Sequence, residues 1–513
     1  MFVAARLFED LHEQRAAEKP RVRGRARLRE PVRDRLELRP MTLESLIGQD
    51  HHARLYWDYV CTLDLGPLED AVEAREGAPG RPIASRRLLL ALWLYATSEG
   101  IGSARVLAEL CECHDAYRWL AGGVSLNYHA LSDFRVAHVD FLDRLLTEGV
   151  VSLHEAGLID LDRLSHDGVR VRAAAGASSF RRKATLEEQL AQAEALVKQL
   201  KTETDANSTA SKARVQAARE RAARERKERL EAALRKHAQI EAAKAKGDKA
   251  ETDAPSPGAD ARQEAGGEGA AKSARKKAVK SDKKKDQKKD EKAEKDEKKA
   301  EKPPRVSMTD AEARVMKMAD GGFRPAFNAQ VTTATGTTII VGIDVSDNGS
   351  DRGLLPEACE QARRRYGEMP GSLLADGGFN SNEAVEKVAA RGVEVYCSPV
   401  RNKHGTDPCA PRKGDGPGVR DWRERMASPE GQAVYKQRPI TECSHALMRQ
   451  NGLSQFTVRG LEKAKSVMLL HAISNNILQG HRLKNEAAQA AAQAATQAAA
   501  RAATQAAARA ATC

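Results

Sequence analysis

Three acidic residues stand where the surrounding pattern predicts a strand or the start of a helix. Asp167 lies within the alternating segment LIDLDRLSHDGVRVRAAA, Asp376 follows the apolar run SLLA, and Glu442 opens a predicted helix from residue 439 onward. Carboxylate oxygens suit Mg²⁺, and two such ions could activate an attacking oxygen and stabilise a leaving oxygen in phosphodiester hydrolysis. The chain has 72 Asp and Glu residues, so position rather than residue type makes these three candidates.

The residues around Glu442 form the most specific pattern. Tyr435, Arg438, Glu442 and Arg449 follow one another with two, three and six residues between them. On a helix, residues four apart lie on one face, so Arg438 should neighbour Glu442, and Arg449 should follow two turns later. Guanidinium groups on either side of a metal-binding carboxylate could hold phosphates.

Four further polar residues are weaker candidates. His166 adjoins Asp167, but neighbouring strand residues point to opposite faces and two-metal chemistry requires no histidine. Asp351 could be a peripheral acidic group or the cap of a helix. Asn328 and Gln330 share one strand face, where they could touch a nucleic acid or complete hydrogen bonds at the sheet edge.

Residues 41–157 predict an all-α domain, because their long segments carry apolar residues at three- and four-residue spacing. One stretch, SARVLAELCECHDAYRWLAGGVSLNYHALSDFR, has the helix order of a helix-turn-helix module. A helical bundle that only packs fits this pattern equally well. In the helix-turn-helix interpretation the recognition face carries Tyr128, His129, Ser132 and Arg135.

A sheet-forming pattern occupies residues 158–184 and resumes over 306–485. The predicted order is a strand, an insertion, a hairpin that turns at Thr335 and Gly336, and then alternating helices and strands. This order is typical of an α/β, RNase H-like mixed-sheet domain. In such a sheet the first and fourth strands are neighbours, which would bring Asp167 and Asp376 together.

Residues 185–305 are predicted to be a charged insertion that starts as a coiled coil. A highly charged helix follows, and residues 246–305 lose the periodicity and predict disorder or a solvated helix. The basic residues of the insertion could bind along the DNA phosphates, although the acidic residues interleaved with them favour a solvated spacer. The spacing of four and three residues typical of a coiled-coil seam is shown by Leu186, Leu190, Ala193, Val197 and Leu200.

The two ends of the chain have biased compositions. Residues 1–40 are rich in Arg and without periodicity, which predicts a basic leader. Residues 486–513 form a low-complexity Ala/Gln tail, to which we assign no function. About two compact domains remain between them, one interrupted by the insertion.

Composition excludes several protein classes. The 513 residues are 41% hydrophobic, 4% aromatic and 30% charged, which excludes a membrane transporter and a disulfide-stapled secreted module. Eighty-four Lys and Arg residues give a net charge of +12, which favours polyanionic partners without identifying one. Eight scattered cysteines suit reduced thiols in a cytosol.

The pattern around Glu442 resembles the Y-R-E-K signature of bacterial insertion-sequence DDE transposases, with Arg449 where the family has Lys. Replacing Lys by Arg keeps the positive charge but exchanges a compact ammonium group for a planar guanidinium group. The resemblance extends from about residue 45 to 480. Further segments look like the family's first-Asp strand, its N-A-Q hairpin, its D-A-G-Y block and its post-Glu helix, namely HDGVRVRA, FRPAFNAQVTTATGTTIIVGIDVSDNGSDRGLL, LLADGGFNS and QFTVRGLEKAKSVMLLHAISNNI.

The resemblance implies that Asp167, Asp376 and Glu442 form a DDE triad that binds two Mg²⁺, or Mn²⁺ instead, and catalyses DNA cleavage and strand transfer. It also implies that Tyr435, Arg438 and Arg449 contact the DNA phosphates. In the helix-turn-helix interpretation of the N-terminal domain, Tyr128, His129 and Arg135 would contact DNA as well.

The resemblance also implies partners and a location. The partners would be double-stranded DNA, as terminal inverted repeats and target DNA, bound by a homodimer that has no membrane association. Two transposon ends must be paired, and the Leu186 to Leu200 seam is a candidate dimer contact. The location would be the cytoplasm, in association with the nucleoid.

Two alternatives stay open at this point. One is a catalytically inactive, transposase-derived DNA-binding repressor, for which the insertion, Arg449 and the repeat tail are arguments. The other is a structure-selective nuclease on the same fold, which differs only in lacking strand transfer.

Overall fold

The computed structural model describes residues 40–70, 72, 82–206, 210–252, 303–399 and 407–510. The leader predicted over 1–40, except its last residue, and most of the segment predicted to be disordered, 246–305, lie outside the described residues.

The described residues before position 157 are helical. A 3₁₀ turn, Leu43–Leu46, precedes helices whose most apolar member, the third, buries Leu88 to Thr97 on all sides. Asn127 caps the sixth helix by accepting a hydrogen bond from the His129 backbone N–H at 2.9 Å. In chain order these helices are α1 His52–Cys61, α2 Gly66–Glu69, α3 Arg86–Ser98, α4 Ala104–Cys113, α5 Asp115–Ala121, α6 Tyr128–Ala137 and α7 Val139–Glu155.

The helix order predicted for a helix-turn-helix module is present in α4, α5 and α6, but its predicted exposed face differs from the structure. His129 is exposed and Tyr128 is half-buried. Arg135 is 7% exposed, and its guanidinium donates hydrogen bonds to the Gly102 carbonyl and, at 3.0 Å, to the Thr457 hydroxyl. The prediction that Arg135 lies on a solvent-facing recognition surface is therefore wrong.

A mixed sheet follows the N-terminal helices. Its strands are β1 Arg163–Arg172, β4 Arg314–Lys317, β5 Phe323–Ala334, β6 Ile340–Ser346, β7 Ser372–Ala375 and β8 Glu394–Cys397; two short strands, β2 Phe180–Arg181 and β3 Val306–Ser307, pair separately. β1 lies in the interior of the sheet and pairs antiparallel with β5 on one side. On the other edge of β5, its first residues pair antiparallel with β4 and its later residues pair antiparallel with β6. On the other side of β1, β7 and then β8 run parallel to it.

The connections of the sheet agree with the predicted element order. β5 and β6 form a hairpin whose turn contains Gly336 in the left-handed region at φ 82°. After β6, helices alternate with strands, and several short helices precede the long C-terminal helix. These elements are α10 Leu355–Tyr366, α11 Asn382–Ala389, α12 Pro417–Ala427, α13 Pro429–Tyr435, α14 Ile440–Gln450 and α15 Leu461–Ala510, with α8 Lys183–Ala206 and α9 Ala210–Thr252 in the insertion.

The insertion is a helical hairpin with a core of its own. Leu186 and Ala193 of α8 pack against Leu230 and Ala233 of α9, and Val306 of β3 joins this cluster. The predicted coiled-coil seam therefore faces a helix of the same chain. The prediction that this seam forms the contact between two copies of the protein is wrong, because Leu186 is fully buried within one chain.

Helix α15 joins the N-terminal helices to the sheet. Its first half is apolar on several faces and buries Met468, Leu469 and Ile473, while residues 484–504 are exposed on every face. The Tyr56 hydroxyl lies 3.0 Å from the Ser474 hydroxyl, and the Asn476 side chain donates to the Ile340 carbonyl of β6 at 2.7 Å. Across the described ranges, no helix carries an apolar stretch long enough for a membrane span.

The separate core of the hairpin leads to a stability prediction. Replacing the fully buried Leu186 by Ala removes side-chain volume from this small cluster, and we expect a loss of about 2–3 kcal/mol in the free energy of opening the hairpin. Leu196, 39% exposed on the same helix, is the matched control, and its change to Ala should cost little. Amide hydrogen exchange of α8 and α9 measures both. Equal protection in the two variants would contradict the packing described.

Candidate active site

Strand register brings the first two predicted carboxylates together. β1 pairs in parallel with β7 so that His166 lies opposite Ala375. Asp167 and Asp376 are the residues that follow this pair, and they are therefore neighbours at the end of β7. Asp376 also caps a 3₁₀ turn, Gly377–Phe379, by accepting a hydrogen bond from the Gly378 N–H at 2.7 Å.

The environment of Asp167 opposes its ionisation. Burial, and after it the negative charge of Asp376, raises the pKa of Asp167 to about 7. Two weaker influences act in the other direction, a hydrogen bond from the Gly168 N–H at 2.9 Å and the positive charge of Arg438. A carboxyl group in this position carries a charge at neutral pH only with difficulty unless a cation lies beside it.

Arg438 connects Glu442 to this pair. Its guanidinium forms an ion pair with Glu442, and its Nη1 lies 3.9 Å from Oδ2 of Asp167. The predicted contact between Arg438 and Glu442 is present, although Arg438 lies in the turn before α14 and not within a helix. Arg438 thus contacts two of the three predicted acidic residues, Asp167 and Glu442, while Asp376 neighbours Asp167 through the strand pairing; Glu442 is the most exposed of the three at 54%.

The helix that carries Glu442 is fixed to the sheet by hydroxyl groups. The Ser165 hydroxyl of β1 donates to the Arg438 carbonyl at 2.9 Å. The Thr333 hydroxyl of β5 lies 2.8 Å from the Thr441 hydroxyl at the start of α14. The threonine contact is buried and the serine contact is partly buried, so the position of Glu442 relative to Asp167 is set by the sheet.

Tyr435 and Arg449 lie near the acidic group, which consists of Asp167, Asp376 and Glu442. Tyr435 ends α13 and is half-buried; burial raises its pKa, and the charges of Cys397 and Asp376 raise it further. Arg449 is exposed in the last turn of α14. Both therefore lie at the rim of the site, with Arg449 on the solvent side.

Sequence reasoning missed His445, which lies one turn after Glu442. Its Nδ1 is 3.9 Å from Oδ2 of Asp167. Burial, followed by the charge of Arg449, lowers the pKa of His445 to about 3, so the ring is neutral. The three-residue spacing from Glu442 was a signal that could have identified it, since such residues share a helix face.

The opposite face of β1 carries a polar network that the sequence did not reveal. Asp351 Oδ1 accepts hydrogen bonds from the side-chain amides of Asn328, at 2.6 Å, and Gln330, at 2.9 Å. Arg170 lies 3.2 Å from Asp351 Oδ2. Asp351 does not cap α10, whose N-cap is Leu354 with no side-chain cap; its charge instead contributes to the raised pKa of Asp167.

His166 occupies this same face as a packed histidine. Its Nδ1 lies 2.8 Å from the Thr332 hydroxyl, and its ring contacts Phe379 with centroids 5.2 Å apart. Burial lowers the pKa of His166 to about 4, so it is uncharged at neutral pH.

The two neighbouring carboxylates of Asp167 and Asp376 supply hard oxygen atoms that suit a divalent cation. Burial, and after it the charge of Asp376, raises the pKa of Asp167, so a cation beside these oxygens would favour its ionised form. In the side-chain arrangement of the described residues, no three His, Cys, Asp or Glu side chains are grouped closely enough to hold a metal ion. Glu442 is directed to Arg438, which supplies positive charge there instead.

A comparison with protein families gives a match over part of the chain. Residues 292–477 match the family model described as the transposase DDE domain. The match supports a DDE-type transposase, which implies DNA as a partner and a nuclease or transposition enzyme. Transposases of this kind generally use divalent metal ions. No curated protein and no solved structure matches the chain.

The matched transposase segment includes Asp376, Glu442 and the residues around Glu442, whereas Asp167 and the N-terminal helices lie before it. The mixed sheet and its helices are consistent with a transposase DDE domain. β1 belongs to the same sheet as the matched strands, and its distance along the chain comes from the insertion.

The close packing at Gly168 can be tested by adding one methyl group. A Cβ at Gly168 would lie 2.5 Å from Asp351 Oδ1 and 2.7 Å from Gln330 Nε2, so Gly168→Ala should displace this network. We expect a loss of about 1–3 kcal/mol in the free energy of unfolding. Gly176→Ala is the control, since its Cβ would meet only the Ser178 hydroxyl at 3.5 Å. Urea denaturation compares them, and equal stability of the two variants would contradict the network.

The raised pKa of Asp167 predicts a pH-dependent stability in EDTA. Between about pH 4 and 7 the folded protein keeps the Asp167 proton that the unfolded chain has lost, so the wild type should lose stability as pH rises. Asp167→Asn removes this titration. Relative to the variant, the wild type should lose on the order of 2–4 kcal/mol over that range and then level off.

Urea denaturation at closely spaced pH values measures this difference. Asp421→Asn, at an exposed carboxylate of α12, is the control and should follow the wild type. A constant difference between wild type and Asp167→Asn across the range would show that the pKa of Asp167 is not raised.

Proposed function

We propose that this protein is the DNA transposase of a bacterial insertion sequence, with an RNase H-like catalytic domain over 158–184 and 306–485. It binds terminal inverted repeats and catalyses metal-dependent DNA cleavage and strand transfer. The observation that carries the proposal is the adjacency of Asp167 and Asp376 at paired strand ends, with Arg438 in contact with both Asp167 and Glu442, although the insertion separates Asp167 from the other two along the chain.

In this proposal the three acidic residues hold the metal ions. Two bound Mg²⁺, or Mn²⁺, would supply activation of the attacking oxygen and stabilisation of the leaving oxygen. Asp167 and Asp376 share the buried end of the site, and their mutual repulsion favours any cation placed between them. Arg438 orients Glu442 and keeps its carboxylate at the exposed side.

Tyr435, Arg438 and Arg449 bind the DNA backbone. Arg449 is exposed, and among the described residues no acidic side chain forms an ion pair with it, so its guanidinium is free for a phosphate. Tyr435, half-buried near Asp376, presents a hydroxyl that can donate a hydrogen bond to a phosphate oxygen, and burial raises its pKa. Arg449 supplies a bidentate contact where the family signature has a lysine.

The helical region, residues 41–157, recognises the terminal repeats. His129 and Tyr128 open α6 at its exposed N-terminal end, where a recognition helix contacts base edges. Two copies of the chain pair the two transposon ends, and the complex acts in the cytoplasm at the nucleoid. The α8–α9 seam is engaged within the chain, so a different surface pairs the copies.

Replacing Asp376 by Asn tests the catalytic assignment. The variant keeps the shape of the side chain but loses a charged metal ligand, so we expect cleavage at the repeat boundary to fall by at least about 10³-fold while DNA binding stays near the wild-type level. The measurement uses a labelled duplex that carries the terminal repeat of the element, with Mg²⁺ or with EDTA, and follows binding and nicking together.

Asp421→Asn, at an exposed carboxylate of α12, is the matched control and should cleave like the wild type. Cleavage retained by Asp376→Asn would overturn the triad. Repeat-specific binding without cleavage by the wild type would replace the proposal by the repressor alternative.

A further inference from the structure

A cavity of about 560 Å³ lies between the N-terminal helices and the C-terminal part of the chain, away from the acidic group. Trp93 of α3 and Arg135 of α6 line one side, and Gln455 and Thr457 line the other. Gln455 forms a β-bridge with Arg172 at the end of β1. The cavity therefore sits where β1 leaves the sheet.

Arg135 is a buried cation to which none of the described residues offers a carboxylate partner. Its side chain lies against Trp93, with Cζ 4.8 Å from the ring, and its hydrogen bonds go to a carbonyl and a hydroxyl. Within the described part of the chain, its buried Nε has no hydrogen-bond partner. Burial lowers the pKa of Arg135 to about 10, and no negative charge among the described residues counteracts this effect. Buried charges in proteins are normally paired, so this arginine lacks an expected anion.

Two other buried arginines show the usual arrangement. Arg365 lies 2.5 Å from Asp143, and Arg423 lies 2.8 Å from Asp415. Both guanidiniums are about as buried as that of Arg135. Arg135 therefore differs from these two buried arginines, each of which has a carboxylate partner.

The N-terminus of α4 reinforces the positive potential of the cavity. Gly102 and the N-cap residue Ser103 line it, and the first turn of this ten-residue helix contains no acidic residue. The Ser103 hydroxyl accepts from the Val106 N–H at 3.5 Å, and the helix dipole at such a position attracts anions. Among the described residues that line the cavity, none is acidic, while Thr97 and Ser454 add hydroxyl groups.

We propose that this cavity binds a phosphate group, held by the guanidinium of Arg135 and the N-terminus of α4. The group is either a free phosphate or a backbone phosphate of bound DNA. The second source rests on the proposed function: Arg172 lies five positions after Asp167 on β1, roughly 17 Å at about 3.3 Å per residue, a span of a few nucleotides.

Inorganic phosphate added to the full-length protein at constant ionic strength tests the site, with tryptophan fluorescence as the signal because Trp93 contacts Arg135. We expect a saturable change in the wild type and at least about tenfold weaker binding in Arg135→Gln. Arg365→Gln, which alters a paired buried arginine, is the control and should bind phosphate like the wild type.

A second variant leaves Arg135 in place. Ala174 lines the cavity, and Ala174→Glu introduces a carboxylate that should pair with Arg135 and abolish phosphate binding without loss of thermal stability. Absence of a saturable signal in the wild type, or wild-type affinity in both Arg135→Gln and Ala174→Glu, would overturn the proposal.

Competition with duplex DNA identifies the source of the phosphate. If bound duplex weakens phosphate binding in the wild type, and the effect is lost in Arg135→Gln, the site takes a backbone phosphate. If phosphate binds equally with and without duplex, the site takes a free phosphate. The phosphate titration requires no cleavage, so failure of the transposase proposal leaves this result unaffected.

Discussion

The burial of Asp167 beside a second carboxylate is the constraint around which the centre of this protein is arranged. Parallel pairing of β1 and β7 holds Asp167 beside Asp376, and burial strengthens their repulsion because it lowers the local dielectric. Arg438 partly offsets the charge, and the Ser165 hydroxyl keeps Arg438 in place through its carbonyl. Ionisation of Asp167 is therefore unfavourable, and a divalent cation bound beside it would reduce that cost.

The rest of the structure keeps this arrangement rigid. Helix α15 contacts the N-terminal helices on one side and β6 on the other, so the helical region and the sheet share one hydrophobic core. Hydrogen bonds also connect these parts. The Ser474 hydroxyl contacts the Tyr56 hydroxyl and donates to the Leu94 carbonyl, and the Asn476 side chain bonds both the N–H and the carbonyl of Ile340. In the proposed transposase, this shared core would give the DNA-recognising helices a fixed position relative to the acidic residues.

The insertion shows how a highly charged segment can still pack. Its two helices bury a narrow apolar seam, and Lys236 of α9 joins Asp347 after β6 at 2.7 Å. The charged residues that dominate its composition face solvent, where they cost little. The seam spacing predicted this packing correctly, whereas the identity of the partner helix could not be derived, because an antiparallel partner and a second copy bury the same residues.

The sequence by itself determined the element order, the hairpin at Gly336 and the local contact of Arg438 with Glu442, because these depend on periodicity, turn residues and short-range spacing. Only the tertiary structure decided that Arg135 lies inside, that Asp351 is held by two amides on the far face of β1, and that His445 approaches Asp167. Each of these depends on residues distant in sequence whose relative positions follow from strand register and helix packing. The raised pKa of Asp167 also depends on the tertiary structure, because burial and the nearby Asp376 cause it.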